Sequence, residues 1–198
     1  MSTQASTPDA QDIRFFSCTN CPLQVTAEAL PSRIREAPTR GAYDNLDPEI
    51  KKTLLDNDYI AAHSIVHSKK LAAPDFFAHV DPLKHAMGRH KLVQRHEKSG
   101  QMNIYLAAHI HHIEGHPDSQ AFFDSLFRHC TQDKYVIEFD WEDEGDLLIW
   151  DNTCTMHRAL GGTFEGKYRR DMRRVTVHDS SSQAWGLNEH TDIRQGLP

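Results

Sequence analysis

Late in the chain, apolar and polar residues alternate. Tyr135, Ile137, Phe139 and Trp141 fall on one side and Lys134, Glu138 and Asp140 on the other, the two-residue period of a strand with one buried face. Glu144-Gly145 predicts a turn and Leu147 to Trp150 a second strand. Asp151-Asn152 predicts another turn, Thr153 to His157 the returning strand, and Arg169 to Val177 one strand more. Upstream the period changes. After Pro117-Asp118, the residues Phe122, Leu126 and Cys130, flanked by Phe123 and Phe127, make an apolar stripe at helical spacing and predict a helix over 117–131. Met102 to His109 reads as a buried strand followed by a loop containing histidine and glycine.

The first half is less regular. Asp47-Pro48-Glu49 combines a capping acid, a first-turn proline and a first-turn carboxylate, and it opens a short helix through Leu54 and Leu55. Tyr59 to Val66 fits a strand or a second helix equally well. Residues 67–90, with Pro74, Pro82 and Gly88, read as a long irregular connection. Residues 13–40 hold apolar pieces without a period and three prolines, and 1–12 are polar and read as disordered. The second half is therefore β-rich with one inserted helix, closer to a sandwich or barrel than to alternating strand–helix units.

Composition narrows the picture. A chain of 198 residues with 38% hydrophobic and 25% charged residues fits one globular domain. Its apolar runs are too short for a membrane helix, and MSTQASTPDAQD lacks the basic-then-apolar pattern of an export signal, so a cytoplasmic protein without a membrane partner is expected. A net charge of −6 argues against non-specific nucleic-acid binding. Cys18 and Cys21 form a lone C-x-x-C with no second pair to complete a zinc site, and with Cys130 and Cys154 they are expected to be reduced thiols.

Fourteen histidines leave several candidates for chemistry. Alternation puts Thr153, Thr155 and His157 on one strand face, and Arg170, Met172, Arg174 and Thr176 on a face of the last strand. A histidine and two arginines on neighbouring strands could hold a metal and an anionic chelator; the plainer reading is a core histidine and two solvated arginines. His109 and His111 would share a strand face, with His112 turned away and His116 beyond; His109 reads as structural or pocket-lining and the others as surface residues. His79-Val80-Asp81 and His190-Thr191-Asp192 have the letters of a ligand pair, but the first lies in the irregular connection and the second after the last core strand. Glu142, Asp143, Glu144 and Asp146 read as a solvated turn.

GDLLIWDNTCTMHRAL followed by RRDMRRVTV resembles the C-terminal part of the TauD/TfdA family of taurine and 2,4-dichlorophenoxyacetate dioxygenases. RGAYDNL, AAHSIVHS, GRHKLVQRHEKSGQMNIYLAAH and FRHCTQDKYVIEFDWEDEGD follow in the family's order, so the resemblance runs from Arg40 to about Asn188. It implies an α+β fold with a double-stranded β-helix (jelly-roll) core, and Fe(II) with 2-oxoglutarate as cosubstrate. The family's iron is held by a His-x-Asp pair and a distal histidine. His157 matches the distal histidine, Arg174 the arginine on the far carboxylate of 2-oxoglutarate, and Arg170 the one near its other carboxylate; a guanidinium fork suits that task. The implied reaction consumes O2 and 2-oxoglutarate, hydroxylates a small, acidic organic substrate, and releases succinate and CO2. A homo-oligomer is left open.

The departures from the family are specific. Its His-x-Asp precedes the segment matching RGAYDNL, yet residues 1–39 contain no histidine, and Pro31-Ser32-Arg33-Ile34 stands where the family has Gly-Gly-x-Thr. The resemblance thus implies an N-terminally shortened member: 1–39 diverged or disordered, 40–188 a partial dioxygenase domain with an incomplete core, and 189–198 a tail. The alternative is a catalytically inactive homologue that at most binds a partner or ligand.

Overall fold

The structure, a computed structural model, describes residues 23–28, 33–142, 146–160, 172–177 and 179–190. Two strands lie where the sequence shows no period, β1 (Leu23–Glu28) and β2 (Arg33–Pro38). A short helix α1 (Thr39–Asp44) leads directly into α2 (Pro48–Asn57). The cap of α2 is the expected one: the Asp47 carboxylate accepts from the amides of Glu49 (2.9 Å) and Ile50 (3.3 Å). Asp58 ends the helix in the left-handed region at φ 46°, and the chain enters β3 (Ile60–His63). The ambiguous 59–66 segment thus resolves into a strand followed by α3 (Ile65–Ala72), started by the Ser64 hydroxyl accepting from the His67 amide. The connection expected over 67–90 is irregular only from residue 73, and it ends in β4 (Gly88–Lys91).

Next come β5 (Val93–Arg95), β6 (Met102–Ile104) and β7 (Ile110–Glu114). The strand expected over 102–109 is therefore short. Residues 105–108 are buried without strand pairing, and the expected loop after them is β7, because antiparallel pairing with β3 satisfies its backbone. Helix α4 (Ser119–Cys130) follows, capped by Asp118, and it buries Leu126 and Cys130. The last strands are β8 (Ile137–Asp140), β9 (Asp146–Trp150), β10 (Thr155–Leu160) and β11 (Met172–Val177).

Strand pairing makes three-stranded sheets in the orders β11-β1-β9, β10-β2-β8 and β4-β3-β7, with β5-β6 a two-stranded ribbon. The described parts of the segment expected to be diverged or disordered, 23–28 and 33–38, thus supply the centre strands of two sheets. Leu54, Leu92, Ile104, Leu106, Ile113, Leu126 and Met156 form the main core, enclosed by α1, α2, α4 and the sheets. The alternation of residues 135–141 is only partly used: Tyr135 sits in a 3-10 turn, and Ile137 and Phe139 stay 50% and 37% exposed.

Candidate active site

The turn between β9 and β10 is built by one carboxylate. Asp151 Oδ1 accepts from the Thr153 amide (2.8 Å) and hydroxyl (2.6 Å), and the Asp151 carbonyl accepts from the Cys154 amide. Beside it, the Trp150 indole donates to Asn152 Oδ1 at 2.8 Å, and Asn103 Nδ2 donates to the Thr153 carbonyl at 2.9 Å. These bonds aim β10 so that Met156 enters the core, while Thr155 and His157 share the opposite face. His157 is half-buried, its ring 4.9 Å from that of Trp150.

Directly opposite His157 in the antiparallel register stands Glu36. It is 4% exposed, and neither carboxylate oxygen has a hydrogen-bond partner among the described residues. Burial pushes its pKa up to about 9, so at neutral pH it is a carboxylic acid. Sequence reading missed this residue. Its only signal is a glutamate between Ile34 and Ala37, informative once β2 is recognised as a strand.

A second group of buried rings lies close by. The ring of His63 on β3 lies 5.0 Å from His109, 5.5 Å from His90 and 5.3 Å from Tyr105, and His90 lies 5.1 Å from Tyr105. Burial keeps all three histidines neutral: it lowers His90 to about 4 and His109 to about 3, and carries His63 well below its ordinary value. His157 is among the groups that lower His109. Both ring nitrogens of His63 and Nε2 of His109 are buried without a hydrogen bond among the described residues. His109, expected to be structural or pocket-lining, is buried, whereas His111 and His112 do not diverge: their Nδ1 atoms are 2.9 Å apart.

Of the other sequence candidates, some stand on other elements and some lie outside the described residues. Arg170 lies outside the described residues, as do Cys18, Cys21, Thr191 and Asp192. Arg174 is in β11, opposite Thr26, in a different sheet from His157. His79 is exposed, and Asp81 caps a 3-10 turn by accepting from the Leu83 amide. His190 is exposed and meets the Trp185 ring edge-on. Near the β9–β10 turn a cavity of about 370 Å³ is lined by His90, Gln94, His96, Asn103, Tyr105 and Asp151, among others.

Comparison with known proteins gives a consistent result. Residues 37–176 match the family described as taurine catabolism dioxygenase TauD, TfdA family. The chain is 33% identical over 142 residues to the alpha-ketoglutarate-dependent 2,4-dichlorophenoxyacetate dioxygenase of Burkholderia sp. (strain RASC), covering 70% of this chain and 46% of that protein. It is 32% identical over 154 residues to the alpha-ketoglutarate-dependent sulfate ester dioxygenase of Pseudomonas putida, covering 71% and 48%. The chain thus spans about half the length of the curated relatives it matches. Among solved structures, AAD-2 in complex with Mn(II) and N-oxalylglycine aligns with a TM-score of 0.74 at 26% identity, over 84% of this chain and 69% of that one. A taurine dioxygenase from Burkholderia xenovorans, at 19% identity and a TM-score of 0.67 over 83% of this chain and 56% of that one, shares the jelly-roll fold.

Proposed function

The chain belongs to the TauD/TfdA dioxygenase family, and on that premise we propose that it carries the distal-histidine half of an Fe(II)- and 2-oxoglutarate-dependent dioxygenase. The substrate in this reading is a small, acidic organic molecule, hydroxylated with release of succinate and CO2. The observation that carries it is the family match across 37–176 together with the placement of His157 on β10, half-buried against Trp150. His157 is the distal iron ligand in this reading, and Arg174 and Arg170 are the partners of 2-oxoglutarate.

The fit to iron is incomplete among the described residues. No described group of three histidine, cysteine or carboxylate ligands that includes His157 converges closely enough to hold an ion. That observation favours a second reading, in which this chain is a non-catalytic homologue that binds a ligand. One experiment separates the two. The purified chain is assayed for succinate release with iron, ascorbate and 2-oxoglutarate, with an aryloxyalkanoic acid or a sulfate ester as substrate, and 2-oxoglutarate binding is followed by calorimetry with Mn(II). Succinate release that His157→Ala abolishes supports the dioxygenase. Binding of 2-oxoglutarate without succinate supports the second reading, and the absence of both overturns the two together.

A further inference from the structure

We propose that His96, Asp151 and Cys154 form a binding site for one divalent cation of the zinc class. The proposal stands apart from the dioxygenase reading, since none of these residues is assigned to iron or 2-oxoglutarate above. His96 comes from the loop after β5, and Asp151 and Cys154 bracket the turn from β9 to β10. Their ligand atoms all lie within 4.8 Å of one another. His96 Nε2 and Asp151 Oδ2 are 2.9 Å apart. Two such ligands on one zinc ion, each bonded at about 2.0–2.1 Å, stand about 3.3 Å apart at the tetrahedral angle, so binding needs this pair to part by about 0.4 Å and the Cys154 sulfur to stand about 3.6 Å from each.

The supporting contacts fit the same role. The Ser99 amide donates to His96 Nδ1 at 3.2 Å and its hydroxyl lies 2.8 Å from the same nitrogen, so binding a metal through Nε2 moves the ring proton to Nδ1, where that hydroxyl can accept it. Thr153 donates twice to Asp151 Oδ1, which fixes the carboxylate and leaves Oδ2 turned towards His96. Cys154 is 2% exposed. Burial, and after it the Asp151 charge, push the thiol up and disfavour a thiolate; the positive charge of Arg40 and hydrogen bonds from the Thr155 and Thr153 side chains act in the opposite sense. Thiolate, carboxylate and neutral imidazole together carry two negative charges, which one divalent ion cancels.

The donor set selects the metal. Sulfur with imidazole favours zinc over magnesium or calcium, which prefer oxygen alone. Three protein ligands leave a fourth position for water or a small oxygen ligand. His96 and Asp151 line the cavity of about 370 Å³, and that position would open into it.

The test uses the full chain with Cys18→Ser and Cys21→Ser, so that the C-x-x-C cannot supply thiolates. Titration with Co(II) is expected to give a cobalt–thiolate charge-transfer band that saturates at one equivalent and is displaced by Zn(II). Cys154→Ser should abolish the band while circular dichroism stays unchanged. Ser99→Ala, which keeps all three ligands but removes the hydroxyl beside His96 Nδ1, should weaken Zn(II) binding about 10–100-fold, the usual cost of losing a supporting partner. His157→Ala should leave the band and the affinity as they were, even if 2-oxoglutarate binding fails. The proposal is overturned if no thiolate band forms, if the band survives Cys154→Ser, or if it is lost with His157→Ala.

Discussion

Glu36 and the three buried histidines pull stability in opposite directions as pH changes. Folded Glu36 keeps its proton to about pH 9, whereas an ordinary carboxyl loses it near 4.5. Between those values the folded state binds more protons than the unfolded one, so this residue makes stability fall as pH rises. Glu36→Gln is therefore expected to raise unfolding free energy by about 2–4 kcal/mol at pH 8 and by little at pH 4, read from urea denaturation. His63, His90 and His109 act the other way. Each stays neutral when folded and takes up a proton when unfolded below about pH 6.5, so their contribution is present above that value and is lost as pH falls towards 4. Asp179, whose charge raises His90, trims the effect there. The urea midpoint should drop between pH 6.5 and 4, with a shallower slope in His90→Gln; an equal slope in the variant would count against the burial argument. At this scale His157 was legible because it ends a patterned strand–turn–strand. Glu36 was not, and His63 and His90 were not, since burial came from strands whose partners lie far away in sequence.

Among the elements, those with a local cause were the readable ones. Asp47-Pro48-Glu49 and the stripe of α4 carry their signals within a few residues, and both helices stand where expected. Replacing Asp47 with Ala should cost about 1 kcal/mol in thermal or urea unfolding, the usual value of such a cap. β1, β2 and β7 carry no such signal, and their pairing is decided by distant strands. The segment after β11 is another case. Leu187 donates its amide to the Arg89 carbonyl (2.8 Å), Asn188 Oδ1 accepts from the Arg89 amide (2.6 Å), and Asn188 Nδ2 reaches the Met87 carbonyl (3.1 Å). Gly186 makes this closeness possible: at φ 57° an added Cβ would lie 2.2 Å from the Arg89 carbonyl oxygen. Gly186→Val should detach the segment from β4, at a cost of about 2–4 kcal/mol. The expected sign is faster hydrogen exchange at Leu187 and Arg89, with α4 unaffected.

At the scale of the whole molecule, the sheet faces are only partly covered. Ile137 and Phe139, on the face that carries Glu36 and His157, are exposed, as are Leu147, Ile149, Val175 and Val177 on the other sheet. Ile149 and Val175 are both matched in register to Val25, so the second group runs across the strands. Faces of this kind promote self-association. Light scattering should show association that grows with concentration, and Ile149→Lys with Val175→Lys should suppress it without lowering the thermal midpoint by more than a degree or two. A sandwich or barrel was legible from the alternating strands of the second half, and the jelly-roll class from the family resemblance. The coverage of those strands was not, because it depends on which residues come to lie against them.

The position of β1 and β2 at the sheet centres also orders events during synthesis. These strands leave the ribosome before their partners, and Arg33 waits for Asp140 and Leu23 for Val177 before either can pair. Long sequence separation makes such pairing slow, because loop closure must precede any gain from contact. The β4-β3-β7 sheet and α4 have their partners within the middle of the chain, so they should gain pulse-labelling protection first. Until its last strands are made, the nascent chain holds two bare strands that could dock on any neighbour, and a chaperone that shields them would raise its yield.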